Sequence, residues 1–162
     1  MCIRDRARGC ANRCIFCFVD QLPKGMRDTL YFKDDDARLS FLQGNYITLT
    51  NLSERELERI MRLHISPINL SVHATDPDVR RMMLGNKNGG RGYGIMKRLA
   101  AAGIVMNCQI VCCPGINDGK VLRKTMEDLA LLYPQVASVS VCLLYTSQED
   151  FVRRYMRTLS RI

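Results

Sequence analysis

The chain has 162 residues, of which 47% are hydrophobic and 25% are charged, and its formal net charge is +8. A chain of this length and composition can bury the core of one globular domain, which excludes a disordered or low-complexity protein. It contains no run of about 18 apolar residues, so neither a membrane span nor a membrane partner is expected.

The positive charge is spread over the whole chain. Two of the excess charges lie in residues 1–8 and two in residues 142–162, which leaves +4 for the residues between. Because Lys and Arg form no dense cluster, this is weak evidence for nucleic acid, and we expect no nucleic-acid partner. Eight cysteines in a sequence without a secretory signal indicate a reducing cytoplasm.

Three cysteines are the first informative feature along the chain. Cys10, Cys14 and Cys17 have the spacing C-x3-C-x2-C, with the aromatic Phe16 directly before the last one. Three thiolates on one short loop can ligate three irons of a cubane cluster. Protein-bound clusters usually have four cysteine ligands, so this spacing implies that another group completes the site.

Zinc and disulfides are the alternatives for these thiols. A structural zinc site needs four Cys or His ligands, commonly in C-x2-C pairs. Cys14 and Cys17 form one such pair, but no second pair follows, and the adjacent Cys112 and Cys113 would chelate one ion poorly. A disulfide framework suits a small secreted chain, and a cluster of three thiols would leave one unpaired. The spacing therefore favours an iron–sulfur cluster over zinc, and zinc over disulfides.

Strands and helices alternate in the pattern that follows. Strands are predicted over residues 45–50, 68–73, 105–111 and 136–141, and helices over residues 53–63, 76–84, 95–102 and 118–132. Four strands separated by helices predict an α/β protein with a parallel sheet.

Local signals support several helix ends. Ser53 and Glu56 have the spacing of a capping box, and Asp76 precedes a proline in the first helical turn. Gly103 is predicted to follow the end of a helix. Residues 85–94 contain five glycines and are therefore predicted to form a flexible loop. They lack the sequence pattern of a phosphate-binding loop.

Four longer segments resemble a bacterial radical S-adenosylmethionine (SAM) family that carries a C-terminal domain of unknown function, DUF512. They are residues 17–27 (CFVDQLPKGMR), 31–36 (YFKDDD), 40–51 (SFLQGNYITLTN) and 113–119 (CPGINDG). Together with the cysteine loop, the resemblance runs from about residue 8 to about residue 141. It implies a partial (β/α) TIM-like barrel of radical SAM type, of which this chain would be a fragment without strands one and six.

The resemblance also implies the cofactors and their ligands. A [4Fe–4S] cluster would be held by Cys10, Cys14 and Cys17, and SAM would complete it and be cleaved reductively to a 5′-deoxyadenosyl radical. The radical would abstract hydrogen from a substrate that the resemblance does not name. Phe16 would lie near the adenine. An electron donor such as flavodoxin or ferredoxin would be the expected partner.

Further cofactor-binding residues are expected at strand ends. Ser71 and His73 close a predicted strand at the edge where β/α barrels build their active sites. Thr50 and Asn51 occupy the position at which many radical SAM proteins carry Gly-Gly-Glu for the methionine amine, and they are the candidate replacements. His64 closes a helix and is interpreted as structural.

Both ends depart from the family. Residues 1–7 and 142–162 resemble translated adapter sequence and are excluded from the fold prediction, which leaves residues 8–141 as the radical SAM core. The acidic run at residues 34–36 could bind a cation, although charge runs are usually solvated. Cys108, Cys112 and Cys113 are interpreted mainly as core residues. The alternatives to an enzyme are an iron–sulfur or zinc module for electron transfer or partner binding, and a truncated piece without independent function.

Overall fold

The structure is a computed structural model, and it describes residues 8–143. The expected leader at residues 1–7 lies outside the described residues, as does all of the expected tail after its first two positions.

Helices and strands alternate along most of the described chain. The helices are α1 (Ala37–Gln43), α2 (Glu54–Arg62), α3 (Pro77–Leu84), α4 (Gly92–Ala101) and α5 (Gly119–Ala130). The strands are β1 (Ile68–Ser71), β2 (Met106–Cys112) and β3 (Val136–Leu143). Short 3-10 helices lie at Val19–Gln21, Asp28–Tyr31 and Lys87–Arg91.

The three strands form one parallel sheet in the order β1-β2-β3. Its register pairs Leu70 with Cys108 and Cys108 with Val139. Helices connect successive parallel strands, as parallel pairing requires. The result is a mixed α/β fold with a small parallel sheet, which is compatible with a partial β/α fold.

The prediction of a strand over residues 45–50 is wrong, because no regular strand forms there. Only Ile47 pairs with β1, through an isolated parallel bridge to Leu70. Leu49 has a φ of 62°, which takes the backbone out of the extended region two residues later. The segment thus lies beside β1 without continuing the sheet as a fourth strand.

The main core lies where the helices pack on the sheet. Alternate residues of β2 are buried, because successive side chains of a strand point to opposite faces. Helices α2, α4 and α5 contribute buried apolar side chains to the same cluster, whose members include Leu57, Ile60, Ile95, Met96, Leu99, Ile110 and Leu129.

The predicted helix starts are largely confirmed. Ser53 and Glu56 form the capping box reciprocally at the start of α2, and the Asp76 carboxylate accepts from two backbone N–H groups at the start of α3. Asp118 precedes α5 but makes no capping bond to it; its carboxylate accepts instead from the Gly115 N–H at 2.9 Å.

The predicted flexible loop at residues 85–94 is wrong for most of its length. Gly85 ends α3 with a left-handed φ of 55°, Lys87–Arg91 is a 3-10 helix, and Gly92 already begins α4. Glycine composition alone suggested a loop, whereas the glycines here permit close packing against arginines. A Cβ on Gly92 would come within 2.5 Å of the Arg80 guanidinium.

Helix α1 has no counterpart in the sequence prediction. Its first turn is capped by the Asp36 side chain, which accepts from the Arg38 N–H at 3.0 Å, and Gly44 ends it with a φ of 71°. Within residues 8–143, no helix combines the length and the apolar composition that a membrane crossing needs.

Truncating the core should destabilise the fold far more than truncating the surface. Leu99 is 0% exposed in the main cluster, whereas Leu131 after α5 is 79% exposed. Leu99→Ala should lower the free energy of unfolding by about 2–5 kcal/mol, because it removes buried methyl groups and leaves a cavity. Leu131→Ala should change it by about 0.5 kcal/mol or less. Urea titration followed by circular dichroism measures both, and equal losses would contradict the assigned core.

Candidate functional site

The cysteine loop is held by the C-terminal end of α3. The backbone N–H groups of Arg13 and Ile15 donate to the carbonyls of Leu84 and Met83, at 2.8 and 3.0 Å. Gly85 follows directly, and a Cβ on it would lie 2.7 Å from the Arg13 carbonyl oxygen. A glycine is therefore required here both by its positive φ and by the closeness of the loop.

An apolar contact also holds the cysteine loop in place. Ile15 is buried against Met83 and Cys113 in a second small core cluster, with Phe16 packed at its side. Cys113 follows β2, so the contact ties the loop to the carboxyl end of the sheet. The cysteine loop thus lies at the sheet edge at which the site is predicted to form.

The three loop thiols are all partly buried and free. Burial first, and then the neighbouring Cys10 and Cys17, raise the pKa of the Cys14 thiol to about 12. Burial likewise raises the pKa of Cys10, with Cys17 contributing. The three groups thus lie close enough to influence one another's charge. Without a bound cation, the environment of Cys10 and Cys14 favours the protonated thiol.

The geometry of the thiols bears on which metal group they fit. Within residues 8–143, no three Cys, His, Asp or Glu side chains enclose a position for a single metal ion. A cubane cluster binds each thiolate through a different iron, so its ligands stand farther apart than those around one tetrahedral ion. Three partly buried thiols on one anchored loop are a donor set that fits such a cluster.

A polar network holds the loop on its other side. The Thr50 hydroxyl donates to the Asn12 side-chain oxygen at 2.8 Å, and the Asn12 amide donates to the Thr48 hydroxyl at 3.0 Å. Thr48 in turn donates to the Asp35 carboxylate at 2.9 Å. The Asn51 amide donates to the Asp35 backbone carbonyl at 3.2 Å. The predicted residues Thr50 and Asn51 therefore lie beside the cysteine loop, where their side chains connect the segments around it.

The acidic run at residues 34–36 does not act as a unit. Asp36 caps α1 and accepts from the Arg38 side chain, which lowers its pKa to about 2. Asp35 faces the network instead, and burial raises its pKa against the opposing effect of hydrogen bonds from Thr48 and Thr50. Asp34 is exposed. The structure therefore gives no support to a cation site built from all three.

His73 lies just beyond β1 in a left-handed backbone conformation, with a φ of 64°. Its ring is buried, and its centroid lies 4.5 Å from that of Phe16 at an interplanar angle of 55°. The Val111 N–H donates to its Nδ1 at 3.2 Å. The structure thus brings together two predicted site residues, Phe16 and His73, that are far apart in sequence.

The buried side chain of Asn117 fixes the backbone around that ring. Its amide donates to the carbonyls of His73 and Val111 at 2.8 and 2.9 Å, and its oxygen accepts from the Cys113 N–H at 2.7 Å. Ser71, the other predicted residue on this strand, enters the site region through its carbonyl, which accepts from Arg80 at 2.8 Å.

Arg80 lies beside the candidate site and was not predicted from the sequence. The residue is 3% exposed, and its guanidinium donates to four backbone carbonyls, those of Thr48, Ser71, Val72 and Gly89, at 2.5–2.8 Å. Burial lowers its pKa to about 10, while the nearby Cys14 and Asp35 act in the opposite direction. Its position in the sequence could have predicted its burial. Arg80 lies three and four residues before the apolar Met83 and Leu84, a spacing that places it on the same, buried face of α3.

Cys108 and Cys112 of β2 and Cys113 directly after it are buried. Cys108 belongs to the main core, and Cys113 to the cluster beneath the loop. Cys142 is exposed on β3, where the Gln109 amide approaches its sulfur at 3.5 Å. Among these cysteines, Cys113 packs with Ile15 of the cysteine loop in that cluster.

The fold and the loop together are typical of an α/β protein that binds a metal group through clustered thiols at the edge of its sheet. Residues 1–139 match the family model of the radical SAM-like domain, and the chain belongs to the radical SAM superfamily. This membership indicates iron–sulfur, SAM-dependent chemistry at the level of the superfamily. No curated protein matches the chain.

Gly85→Ala should weaken retention of a cluster by the cysteine loop. Its Cβ would meet the Arg13 carbonyl at 2.7 Å, so the loop would have to move away from α3. Gly44→Ala is the matched control, since Gly44 also ends a helix with positive φ but has no atom nearer than 3.9 Å to the added Cβ. Both carry the left-handed strain of about 1–2 kcal/mol.

Iron and sulfide per chain after anaerobic reconstitution are the measurement. Loss in Gly85→Ala beyond that in Gly44→Ala supports the docking of the loop on α3. Equal retention in the two variants would contradict it.

His73 should stay neutral through the physiological pH range. Burial, and to a smaller extent the charge of Arg80, lower its pKa to about 3. A histidine whose folded pKa is depressed remains uncharged until the pH approaches that value, so its ring ¹⁵N shifts should not change between pH 8 and pH 5. The chain has only two histidines, and His64→Gln assigns the signals. Movement of both His73 nitrogens to imidazolium values above pH 5 would refute the burial of the ring.

Proposed function

We propose that this chain is a radical SAM enzyme, or the core of one, in which Cys10, Cys14 and Cys17 hold a [4Fe–4S] cluster. The observation that carries the proposal is the anchored loop with its three partly buried, mutually interacting thiols. Three cysteine ligands leave one iron of a cubane without a protein ligand. The match to the radical SAM-like domain supplies the class of chemistry.

When bound, the cluster and SAM supply a one-electron reductive cleavage that yields a 5′-deoxyadenosyl radical for hydrogen abstraction from a substrate. The chain's own residues bind and orient these groups. The bonds from Arg13 and Ile15 to α3 set the position of the loop. Phe16 and His73 present adjacent aromatic rings, which we propose as the wall beside the adenine.

The polar residues have supporting roles in this proposal. Thr50 and Asn51 hold the segments next to the loop through Asn12 and Asp35, and we propose that this region receives the methionine end of SAM. Ser71 lies at the end of β1, where Arg80 fixes its carbonyl. Its hydroxyl is proposed to line the cofactor side of the same edge.

We further propose membership of the DUF512-containing branch, on the segments at residues 17–27, 31–36, 40–51 and 113–119, with residues 8–141 as the radical SAM core. The parallel sheet would then be part of a partial TIM-like barrel. Flavodoxin or ferredoxin would supply the electron. The free cysteines of the described chain fit a reducing cytoplasm.

Replacing one loop cysteine should abolish cluster retention. Cys14→Ala removes one of the three interacting thiols, so iron and sulfide should fall from about four of each per chain to background after anaerobic reconstitution. Cys142→Ala is the control, because this thiol is exposed on β3 and lies apart from the loop. Visible absorption and electron paramagnetic resonance of the reduced protein report the cluster directly.

Two measurements then separate the proposal from its alternatives. Bound zinc in place of iron would overturn it. A cluster-loaded protein that neither binds S-adenosylhomocysteine in equilibrium dialysis nor forms 5′-deoxyadenosine from SAM under dithionite would favour the electron-transfer module. Binding together with 5′-deoxyadenosine formation would support the enzyme.

A further inference from the structure

The hydrogen bonds of His73 determine which ring nitrogen carries the proton. Its Nδ1 accepts the Val111 N–H at 3.2 Å. A nitrogen that accepts a hydrogen bond has its lone pair free, so in the neutral ring the proton must be on Nε2. The tautomer is therefore fixed by a backbone group of β2, which Asn117 holds in place through the Val111 carbonyl.

The resulting Nε2–H donor has no acceptor among residues 8–143. His73 is 3% exposed, and its side-chain and carbonyl hydrogen bonds are those at Nδ1 and at the backbone oxygen. Its ring also contacts Phe16. Yet no fully sealed side-chain polar atom in this part of the chain lacks a partner. Nε2 must therefore belong to the small part of the His73 ring that remains accessible to solvent. A buried side chain with one unpartnered donor at an opening is a feature that needs an explanation.

The backbone at His73 supplies independent support. A φ of 64° is uncommon for a non-glycine residue and costs free energy. Strained conformations of this kind persist where the surroundings over-determine them, and they cluster at ligand-binding positions. Here the strained residue places its ring against Phe16 of the cysteine loop, while its Nδ1 accepts from the Val111 N–H of β2.

The charge state of the ring is also defined. Arg80, whose guanidinium donates to the Val72 carbonyl next to His73, disfavours a second positive charge there. Burial acts in the same direction and keeps the pKa of His73 at about 3. The ring is thus a neutral donor rather than a proton source.

We propose that His73 is a tautomer-locked hydrogen-bond donor that recognises the purine of the bound nucleoside, with Nε2–H donating to a ring nitrogen of an adenine lying beside Phe16. This inference rests on the proposed function for the presence of an adenosyl ligand, and it adds the atom and direction of one contact. A neutral donor at this point selects a ligand atom with a free lone pair and rejects an amino or C–H group in the same place.

The test uses the cluster-loaded chain and S-adenosylhomocysteine, together with its 1-deaza, 3-deaza and 7-deaza analogues. Each analogue replaces one ring nitrogen of adenine with C–H. One of the three should bind about tenfold more weakly than the parent to the unmodified chain, the effect of losing a single hydrogen bond of about 1.4 kcal/mol. The other two should bind like the parent.

His73→Asn provides the matched variant. Asparagine is tolerated in left-handed backbone, and its side-chain oxygen can accept from Val111 as Nδ1 does, but nothing replaces Nε2. In this variant the discrimination among the analogues should disappear. A tenfold difference that persists in His73→Asn would overturn the proposal, as would equal binding of all analogues by the unmodified chain.

A spectroscopic measurement keeps the proposal testable if the variant does not fold. In ¹⁵N-histidine-labelled chain, long-range ¹⁵N spectra should show the Nε2–H tautomer for His73, with its Nε2 shift changing when S-adenosylhomocysteine is added. The Nδ1–H tautomer, or an Nε2 shift that ignores the bound ligand, would refute the role of His73 and leave the proposed function standing. A cluster-loaded chain that binds no adenosyl ligand would instead refute both.

Discussion

One buried guanidinium joins the parts from which the candidate site is built. Arg80 donates to the carbonyls of Ser71 and Val72 at the end of β1, of Thr48 in the neighbouring segment, and of Gly89 in the 3-10 helix after α3. Each buried carbonyl left without a donor costs about 1–3 kcal/mol. Removing Arg80 would take one donor from each of these backbone groups, two of which, Val72 and Gly89, also accept from the N–H groups of Ala74 and Gly92. Because α3 also carries the cysteine loop, the position of the loop relative to the strand ends depends on the same residue.

The loop itself couples metal binding to the fold. Buried thiols beside one another resist ionisation, as the raised pKa of Cys14 shows, whereas iron binds the thiolate. A cation must therefore arrive for the charged form to be favourable, and its binding releases protons. The backbone bonds to Met83 and Leu84 and the packing of Ile15 hold the loop's path without the metal. Ordering the loop in advance lowers the entropy that ligand binding would otherwise cost.

Sequence patterns were reliable where one local signal decides the structure. The capping box at Ser53 and the Asp76 cap depend on neighbouring residues alone, and both are present. The apolar segments at β2 and β3 also form the predicted strands. The predictions of a loop at residues 85–94 and of a strand at residues 45–50 were wrong, because tertiary contacts determine both segments. The absence of a side chain at Gly92 leaves room for the Arg80 guanidinium, and Leu49 has a backbone conformation outside the extended region. For the candidate site, spacing singles out the three cysteines, and the position at the end of a predicted strand singles out His73. Arg80 was not predicted, because an arginine in a helix is normally solvated.

A buried arginine without a carboxylate in hydrogen-bonding contact is unusual, and its surroundings explain how it is tolerated. Its donors are satisfied by carbonyl oxygens, which carry partial negative charge, rather than by an ion pair. The longer-range charges around it, those of Cys14 and Asp35, also favour its cationic form. Thiolates on the loop would strengthen that attraction, so a loaded site and a charged Arg80 stabilise each other. Burial and, to a smaller extent, the same positive charge disfavour protonation of His73, so one cation interacts with groups on both sides of the site.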